Sequence, residues 1–373
     1  MEKRNRREKE MIKVSVVKCN SYDKREVKKA LLSSLKNINF ELKENQKVLI
    51  KPNVLAPEPP EKAIDTHPVI IEELCKILKQ KKADICIGDS SGTDTDSALK
   101  VSGISRLKKY GKILNFEREK KKIFYFSRKF NRVYLPEIAL KSDLVINVAK
   151  MKTHGLTKVT LCIKNLYGCI PGKLKENYHR LAPSPREFSK LLLFLHEKIK
   201  PELNIIDGII GLEGDGPSAG GKLIKSKVLL ASKNALAIDV VASEIMGFKS
   251  REIVTNKLGR MKRKNIEVVG NGKNIRLSFE KPSSFSIPLL LWMSNLLPKP
   301  RIKFDKSKCK KCGICRKKCP AKAITLSPYP EVNNRKCIRC LCCIEVCPYN
   351  SPYVEYHPVV QIIVRIFKFL KII

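Results

Sequence analysis

Short apolar runs alternate along the chain with longer segments whose apolar residues recur every three or four positions. The runs predict strands at 12–18, 47–53, 84–92 (passing into a loop), 112–117, 142–150, 202–210, 227–232 and 266–270. The longer segments predict helices at 24–36, 68–81, 94–110, 235–246 and 251–264. This alternation indicates a mostly parallel sheet with helices on both faces. The run at 142–150 is continuously apolar, which is typical of a strand covered on both sides.

Nine of the fourteen cysteines lie in residues 309–347, in two similar runs: "CKKCGICRKKCP" at 309–320 and "CIRCLCCIEVCP" at 337–348. In each run four cysteines follow the C-x2-C-x2-C-x3-C-P order of bacterial two-cluster ferredoxins. Zinc knuckles usually use two pairs of ligands instead. The spacing therefore predicts two [4Fe–4S] clusters, because three close thiolates wrap one cube and the fourth reaches the other.

The spacing also assigns the thiolates. The ligands predicted for one cluster are Cys309, Cys312, Cys315 and Cys347, and those for the other are Cys337, Cys340, Cys343 and Cys319. Cys342 is surplus, and we expect it to serve local packing. The five cysteines outside this segment are scattered, as small buried apolar residues are: Cys19, Cys75, Cys86, Cys162 and Cys169.

These patterns divide the chain. We expect a disordered basic leader at 1–11, which has no apolar core and so no secretory signal, unless translation begins at Met11. The predicted fold class is α/β: a mostly parallel Rossmann-like sheet domain at 12–281, followed by a small α+β ferredoxin domain at 304–352. A proline-rich apolar linker at 282–303 separates them, and an amphipathic tail at 353–373 ends the sequence.

Charge adds a preference for anionic partners. The chain has 75 Lys and Arg against 36 Asp and Glu, a formal charge of +39. Residues 301–350 alone hold thirteen basic and three acidic residues, which favours docking of an acidic electron donor or acceptor protein. The alternative is a dispersed lysine-rich surface that is simply solvated. Aromatic residues are only 6%, and no nucleic-acid motif is present, so we do not expect nucleic acid as a partner.

The densest polar constellation in the first domain lies at 150–168, "KMKTHGLTKVTLCIKNLYG", where the apolar strand is expected to end. Two histidines, several lysines and an amide at a strand end are suited to holding an anionic small molecule and moving protons. A basic solvated loop is the alternative interpretation. The candidate catalytic residues are Lys152, His154, Lys164, Asn165 and His179.

Two further stretches carry candidate chemistry. In "GDSSGTDTD" (88–96), residues 89–91 are placed to line a pocket at a strand's carboxyl end, although helix capping by residues 93–95 explains the stretch as well. "GLEGDGPSAGGK" (211–222) fits G-x4-G-K, but Leu223 and a predicted strand follow, which excludes a nucleotide triphosphate loop. A flexible lid or an anion-binding turn remains, with Glu213 and Asp215 as candidate acids.

Several motifs together resemble the domain-of-unknown-function 362 family: "IKPNVL", "GDSSG", "DLVINVAKMKTH", "TLCIKNLYG", "IIDGIIGLEGDGPSAGG" and "ALAIDVVASEIMG". The resemblance spans roughly residues 12–350, and members often carry a C-terminal two-cluster ferredoxin. It implies an α/β domain fused to an iron–sulfur module and supplies no reaction. The family tends to have an acidic residue where Asn234 stands, whereas Asp239 is retained, so a role for the first acid does not carry over.

We therefore expect an iron–sulfur protein that passes electrons through two clusters to a site in the α/β domain and reduces an anionic substrate. The alternatives are a redox-sensing or cluster-stabilised binding protein for an acidic partner, membrane or RNA, and a stand-alone electron carrier. A carrier needs only the last sixty or so residues. We expect a cytoplasmic location, with the tail "VVQIIVRIFKFLKII" a candidate for contact with the inner face of a membrane.

Overall fold

The computed structural model describes residues 11–282, 298–360 and 362. The predicted leader up to residue 10, most of the predicted linker and most of the predicted tail lie outside the described residues. Within the described ranges, every helix falls short of the length and apolarity needed to cross a bilayer.

The strands follow the alternation read from the sequence, with additions. They are β1 Ile12–Lys18, β2 Lys47–Lys51, β3 Asp84–Asp89, β4 Lys112–Asn115, β5 Lys121–Phe124, β6 Val133–Pro136, β7 Leu144–His154, β8 Lys158–Thr160, β9 Leu203–Gly214, β10 Gly221–Ile224, β11 Val228–Ser232, β12 Ile266–Val269, β13 Arg301–Phe304, β14 Ile324–Leu326, β15 Pro330–Val332 and β16 Pro352–Glu355.

The α-helices lie mainly between strands of the sheet. They are α1 Lys24–Asn37, α2 Pro68–Lys79, α3 Thr95–Val101, α4 Ile138–Lys141, α5 Cys162–Asn165, α6 Gly172–Leu181, α7 Pro185–Ile199, α8 Ala235–Ile245, α9 Val254–Gly259, α10 Ile314–Lys317 and α11 Cys342–Glu345. Single 3₁₀ turns occupy Pro60–Lys62, Ile104–Lys109, Leu166–Cys169, Ser250–Glu252 and Arg263–Asn265.

One ten-stranded sheet organises residues 11–282. Its order is β12-β1-β11-β9-β7-β2-β3-β4, and β8 and β10 pair with the ends of β7 and β9. Neighbours along this order are parallel except at β11, which runs antiparallel to both β1 and β9. Apolar side chains alternate between the two faces and form two cores, one on each side. The predicted fold class is confirmed: a mostly parallel α/β sheet, followed by a small ferredoxin-like region with short strands.

The central strands are longer than the sequence pattern indicates. β7 continues to His154 and all eleven of its residues are buried, so Lys152, Thr153 and His154 are strand residues. Predicting them at the mouth beyond the strand was wrong. The extension is possible because β8 pairs antiparallel with Lys152–His154 and covers an end that β2 no longer reaches.

Two predicted helices are interrupted. The helix predicted at 94–110 ends at Val101, because Gly103 has a φ of +81° and turns the chain into a 3₁₀ segment. The helix predicted at 251–264 is α9 flanked by two 3₁₀ turns, and the left-handed Arg260 (φ 56°) ends it. Both interruptions are local and leave the packing against the sheet in place.

Candidate functional site

A cavity of about 80 Å³ lies between the α/β sheet and the cysteine-rich segment. This is several times the space that one water molecule needs, so a small ligand fits. We call it the interdomain cavity. It is lined by Asn53, Val54, Leu55, Asp89, Ser90, Gly92, Thr160, Lys164, Asn165, Tyr167, Gly168, Lys175, Glu176, His179, Lys318, Cys342, Glu345 and Val346.

Three buried polar atoms on the cavity wall have no hydrogen-bond partner among the described residues. They are Thr160 Oγ1, Asn165 Oδ1 and His179 Nδ1, on side chains only 3–4% exposed. Buried polar atoms in folded proteins are nearly always paired, because an unpaired one costs roughly 1–3 kcal/mol. A polar ligand or ordered water in the cavity would supply the missing hydrogen-bond partners of these three atoms.

Lys164 and Asn165 are held at the cavity by α5. The carboxylate of Asp239 accepts hydrogen bonds from the backbone N–H groups of Cys162 (2.8 Å) and Ile163 (3.0 Å) at the start of this turn. Asn165 donates through Nδ2 to Asn147 Oδ1 at 2.8 Å. Burial lowers the pKa of the Lys164 ammonium, and the Glu345 carboxylate opposes that shift. Within the described residues the ammonium has no hydrogen bond or ion pair within contact distance.

Glu345 enters the cavity from the cysteine-rich segment and meets His154. Their Oε1 and Nε2 atoms lie 2.8 Å apart. His154 Nδ1 accepts hydrogen bonds from the backbone N–H groups of Leu156 (3.0 Å) and Thr157 (3.2 Å), so its only proton sits on Nε2 and faces the carboxylate. Burial lowers the pKa of His154 to about 4, which keeps it neutral. Burial disfavours the carboxylate, but His154 and Lys164 outweigh it and hold the Glu345 pKa well below its usual range.

His179 lies within an aromatic cage. Its ring stacks on Phe188 with centroids 4.5 Å apart and meets the edge of Tyr167 at 5.3 Å. Burial lowers the pKa of the His179 imidazole to about 4. The ring is therefore neutral near pH 7, and its Nδ1 has no hydrogen-bond partner among the described residues.

Ion pairs and hydrogen bonds hold the floor of the cavity in place near the carboxyl end of β3. Lys51 Nζ lies 2.8 Å from Asp89 Oδ1, and both side chains are 1% exposed. Asp89 also accepts from the backbone N–H of Val54 at 2.7 Å. Lys175 Nζ donates to Ser90 O and Ser90 Oγ at 2.7 and 2.8 Å and so ties α6 to this loop. These groups are already paired and shape the cavity instead of offering free charges to a ligand.

Three candidate residues do not line the cavity: Lys152, Asp215 and His154, the last of which contacts the lining residue Glu345. Lys152 is fully buried and donates to Asn53 Oδ1 (2.7 Å) and Ile64 O (2.6 Å), which holds the loop after β2 against the sheet. Asp215 is exposed on the turn between β9 and β10 and does not line the cavity. Glu213 Oε2 accepts from Glu280 N at 2.9 Å. The glycine-rich stretch is therefore a β-hairpin that extends β9.

The four ligands predicted for the first cluster interact electrostatically. Burial raises the pKa of the Cys315 thiol to about 11, and the thiols of Cys347, Cys312 and Cys309 add to this rise. No group of three or more Cys, His, Asp or Glu in the described part of the chain is arranged for a single metal ion. Four thiolates that each bind a different iron of one cube are spread more widely than ligands of one ion.

The second predicted quartet lines a separate cavity of about 360 Å³: Cys319, Cys337, Cys340 and Cys343. The donor set is therefore all thiolate, which suits iron–sulfur chemistry. Cys342, expected only to pack locally, borders both this cavity and the interdomain cavity. Because Cys342 and Glu345 are three residues apart on α11, they share one face while Cys343 points to the thiolate cavity.

Several residues of the cavity were not found from the sequence. Glu345 and Lys318 lie inside the cysteine runs, where the metal signal obscures them, and Thr160, Tyr167 and Lys175 are ordinary in their local pattern. Glu345 is one of only three acidic residues in 301–350, and this rarity is a feature of the sequence that could have singled it out. Asn234 is the N-cap of α8 and accepts from Ala237 N at 2.9 Å. Asn and Asp serve equally there, which explains the departure from the acidic residue expected of the family.

Comparisons with known proteins agree with this architecture. The model of the family described as "Domain of unknown function (DUF362)" matches residues 48–244, and that of a 4Fe-4S dicluster domain matches residues 301–348. A thylakoid-associated protein of Synechocystis sp. is 29% identical over 252 residues, covering 65% of this chain and 77% of that protein.

Two solved structures are more distant. A protein from Thermotoga maritima matches with a TM-score of 0.35 and 12% identity over 52% of each chain. The lactate racemase apoprotein from Thermoanaerobacterium thermosaccharolyticum matches with a TM-score of 0.32 and 12% identity, over 63% of this chain and 57% of that one. This chain thus spans little more than half the length of either. From the family match over half of its residues, together with the thiolate-lined segment that follows, the chain belongs to the DUF362 family and is an iron–sulfur protein with a 4Fe–4S ferredoxin domain.

Proposed function

We propose that this protein is an iron–sulfur oxidoreductase that binds two [4Fe–4S] clusters and reduces a small anionic molecule in the interdomain cavity. One observation carries the proposal: a single turn, α11, holds the predicted ligand Cys343 and presents Cys342 and Glu345 to the interdomain cavity. The clusters supply one-electron carriage when bound. The α/β domain supplies the remaining wall of the cavity.

The cavity's free groups suggest the class of substrate. The Lys164 ammonium is the one described cation on the wall without a partner within contact distance, since Lys175 donates to backbone and Ser90 oxygens and Lys318 pairs with Glu176 at 2.9 Å. It suits one negative group. Asn165 Oδ1 is an acceptor without a partner among the described residues, so it suits an O–H or N–H group on the same molecule. The substrate is therefore a small polar anion that also carries hydrogen-bond donors.

Proton transfer in this proposal belongs to Lys164. Burial lowers its pKa, which makes the ammonium a better acid near neutral pH than an ordinary lysine. His154 is unsuited to proton transfer, because Nδ1 accepts two backbone hydrogen bonds and Nε2 faces Glu345. We assign His154 the role of orienting Glu345, and His179 the role of a neutral acceptor for the substrate.

The test uses anaerobically prepared full-length protein. It should contain about eight irons and eight sulfides per chain, from two cubes. After chemical reduction and removal of the reductant, a panel of small carboxylates, phosphates and sulfur oxyanions is added, and reoxidation of the clusters is followed by visible absorbance.

The variant Lys164→Met should keep its iron and lose on the order of 10²–10³ in the rate of reoxidation by the active anion. The exposed Lys112→Met on β4 is the matched control and should keep full rate. Zinc in place of iron ends the cluster proposal. Full rate in Lys164→Met for every active anion removes the cavity from the reaction, and an anion that binds without oxidising the clusters favours the redox-sensing alternative.

We also propose a peripheral membrane contact through residues 359–373. Their sequence pattern and the thylakoid-associated relative support it. Flotation of full-length protein with anionic vesicles, compared with protein lacking 359–373, tests it. If neither protein floats, the membrane contact is ruled out.

A further inference from the structure

A second, open depression carries positive charge beside the predicted cluster ligands. It measures about 540 Å³ and lies between α6 and the stretch that runs from α10 into β14. We call it the basic groove. It is lined by Glu176, Asn177, Arg180, Arg316, Lys317, Cys319, Pro320, Lys322 and Ile324.

The charge of the basic groove is unbalanced. Its four cations are exposed, and within the described ranges none forms an ion pair: Arg180, Arg316, Lys317 and Lys322. Arg180 donates to the neutral amide of Asn177 at 2.8 Å. The single carboxylate on the groove wall, Glu176, is held by Lys318 at 2.9 Å. Such a surface attracts an acidic partner over several ångströms and raises its rate of encounter.

The groove also lies close to the predicted electron carrier. Cys319 borders the basic groove on one side and the thiolate cavity on the other. Pro320 and Ile324 also line both, so a partner seated in the groove is separated from that cavity by these three residues. No aromatic side chain lines the groove, so it lacks the stacking platform that single-stranded nucleic acid uses.

We propose that the basic groove is the docking surface for an acidic one-electron carrier protein. The inference rests on the proposed function, because it requires clusters at the predicted cysteines. In the exchange, one electron leaves the reduced carrier and one oxidised cluster of this protein gains it, with no bond made or broken. The interdomain cavity and the basic groove are then two openings that share Glu176, one for the substrate and one for the carrier.

The experiment measures binding, which does not depend on turnover. The probe is a small acidic two-cluster bacterial ferredoxin, titrated anaerobically into the full-length, cluster-loaded protein by calorimetry at low and high salt. Reversing two groove charges in Arg180→Glu/Lys322→Glu should weaken binding about 10–100-fold at low salt, and the salt dependence should become flatter. Arg180 belongs to α6 and Lys322 lies beyond the cysteine run, so iron content should stay at the wild-type level.

The control is Arg25→Glu/Lys29→Glu, which makes the same change of charge on exposed positions of α1. This helix packs on β1, β11 and α2, away from the groove. The inference is overturned if the groove variant binds as tightly as wild type. It is also overturned if the control loses as much affinity, because attraction would then belong to the overall +39 charge. Either result leaves the Lys164→Met reoxidation test intact, so failure of the docking surface and failure of the proposed function are distinguishable.

Discussion

Lys152 and Lys164 belong to one polar cluster in the sequence, yet the structure predicts different effects when each loses its charge. Replacing Lys152 should lower the stability of the fold, and replacing Lys164 should lower the rate of cluster reoxidation. Lys152→Met removes two hydrogen bonds from a charged donor, to Asn53 Oδ1 at 2.7 Å and to Ile64 O at 2.6 Å. Each such bond contributes roughly 1.5–3 kcal/mol. Removing the buried charge returns part of that, because burial lowers the pKa of Lys152 to about 7. We expect a net loss of about 2–4 kcal/mol in the free energy of unfolding.

Lys164→Met should behave differently. Its ammonium has no hydrogen bond among the described residues, and burial already penalises the charged form, so methionine costs little. We expect a change within about 1 kcal/mol in either direction. The substrate-dependent reoxidation of the clusters should nevertheless fail in this variant.

Anaerobic thermal unfolding of the cluster-loaded protein measures both effects. At roughly 2–4 °C per kcal/mol, Lys152→Met should melt about 5–15 °C below wild type. Lys164→Met should lie within a few degrees of it, beside the Lys112→Met surface control. If Lys164→Met melts as low as Lys152→Met, Lys164 is a structural residue and its assignment to substrate binding is wrong. If Lys152→Met melts with the control, the buried hydrogen bonds do not hold the loop after β2.

Three further variants test the walls of the site. In Gly168→Ala the new Cβ would clash with Asp89 Oδ1 of the buried Lys51–Asp89 ion pair. Denaturant unfolding should therefore show a loss of about 3–5 kcal/mol in the free energy of unfolding. Gly92→Ala, whose nearest contact is at 3.5 Å, is the control and should be near neutral. Burial lowers the pKa of folded His179 to about 4, so the unfolded chain takes the proton first as pH falls, and stability present above pH 6.5 is lost. In His179→Phe the free energy of unfolding should therefore fall by about 2 kcal/mol less between pH 7 and 5 than in wild type. An unchanged pH profile of stability would contradict this. A colorimetric iron assay should find the full iron content in Cys342→Ala and about four irons fewer in Cys340→Ala, because only Cys340 is a predicted ligand. An equal loss of iron in both variants would show that Cys342 is a ligand.

Local patterns in the sequence determined the fold class and the metal chemistry. Alternating apolar periodicity indicated the parallel sheet, because buried strands and amphipathic helices differ in their repeat. Cysteine spacing was informative because three thiolates within seven residues have few geometries open to them. Helix α7 also begins with a signal that is present in the sequence: Ser184 is its N-cap, and Ser184 Oγ accepts a hydrogen bond from Glu187 N at 3.2 Å.

Tertiary structure alone decided which polar residues form the site. Lys152, His154 and Lys164 are close in sequence, but tertiary contacts separate them. On β7, Lys152 bonds the loop after β2 and His154 meets Glu345, whereas Lys164 lies on α5 and lines the cavity. Glu345 meets His154 across 191 residues of chain, because the cysteine-rich segment packs on the carboxyl edge of the sheet. No local pattern carries such a contact. It depends on which surfaces of the sheet and the cysteine-rich segment meet, and burial then shifts the pKa values of the groups on the cavity wall.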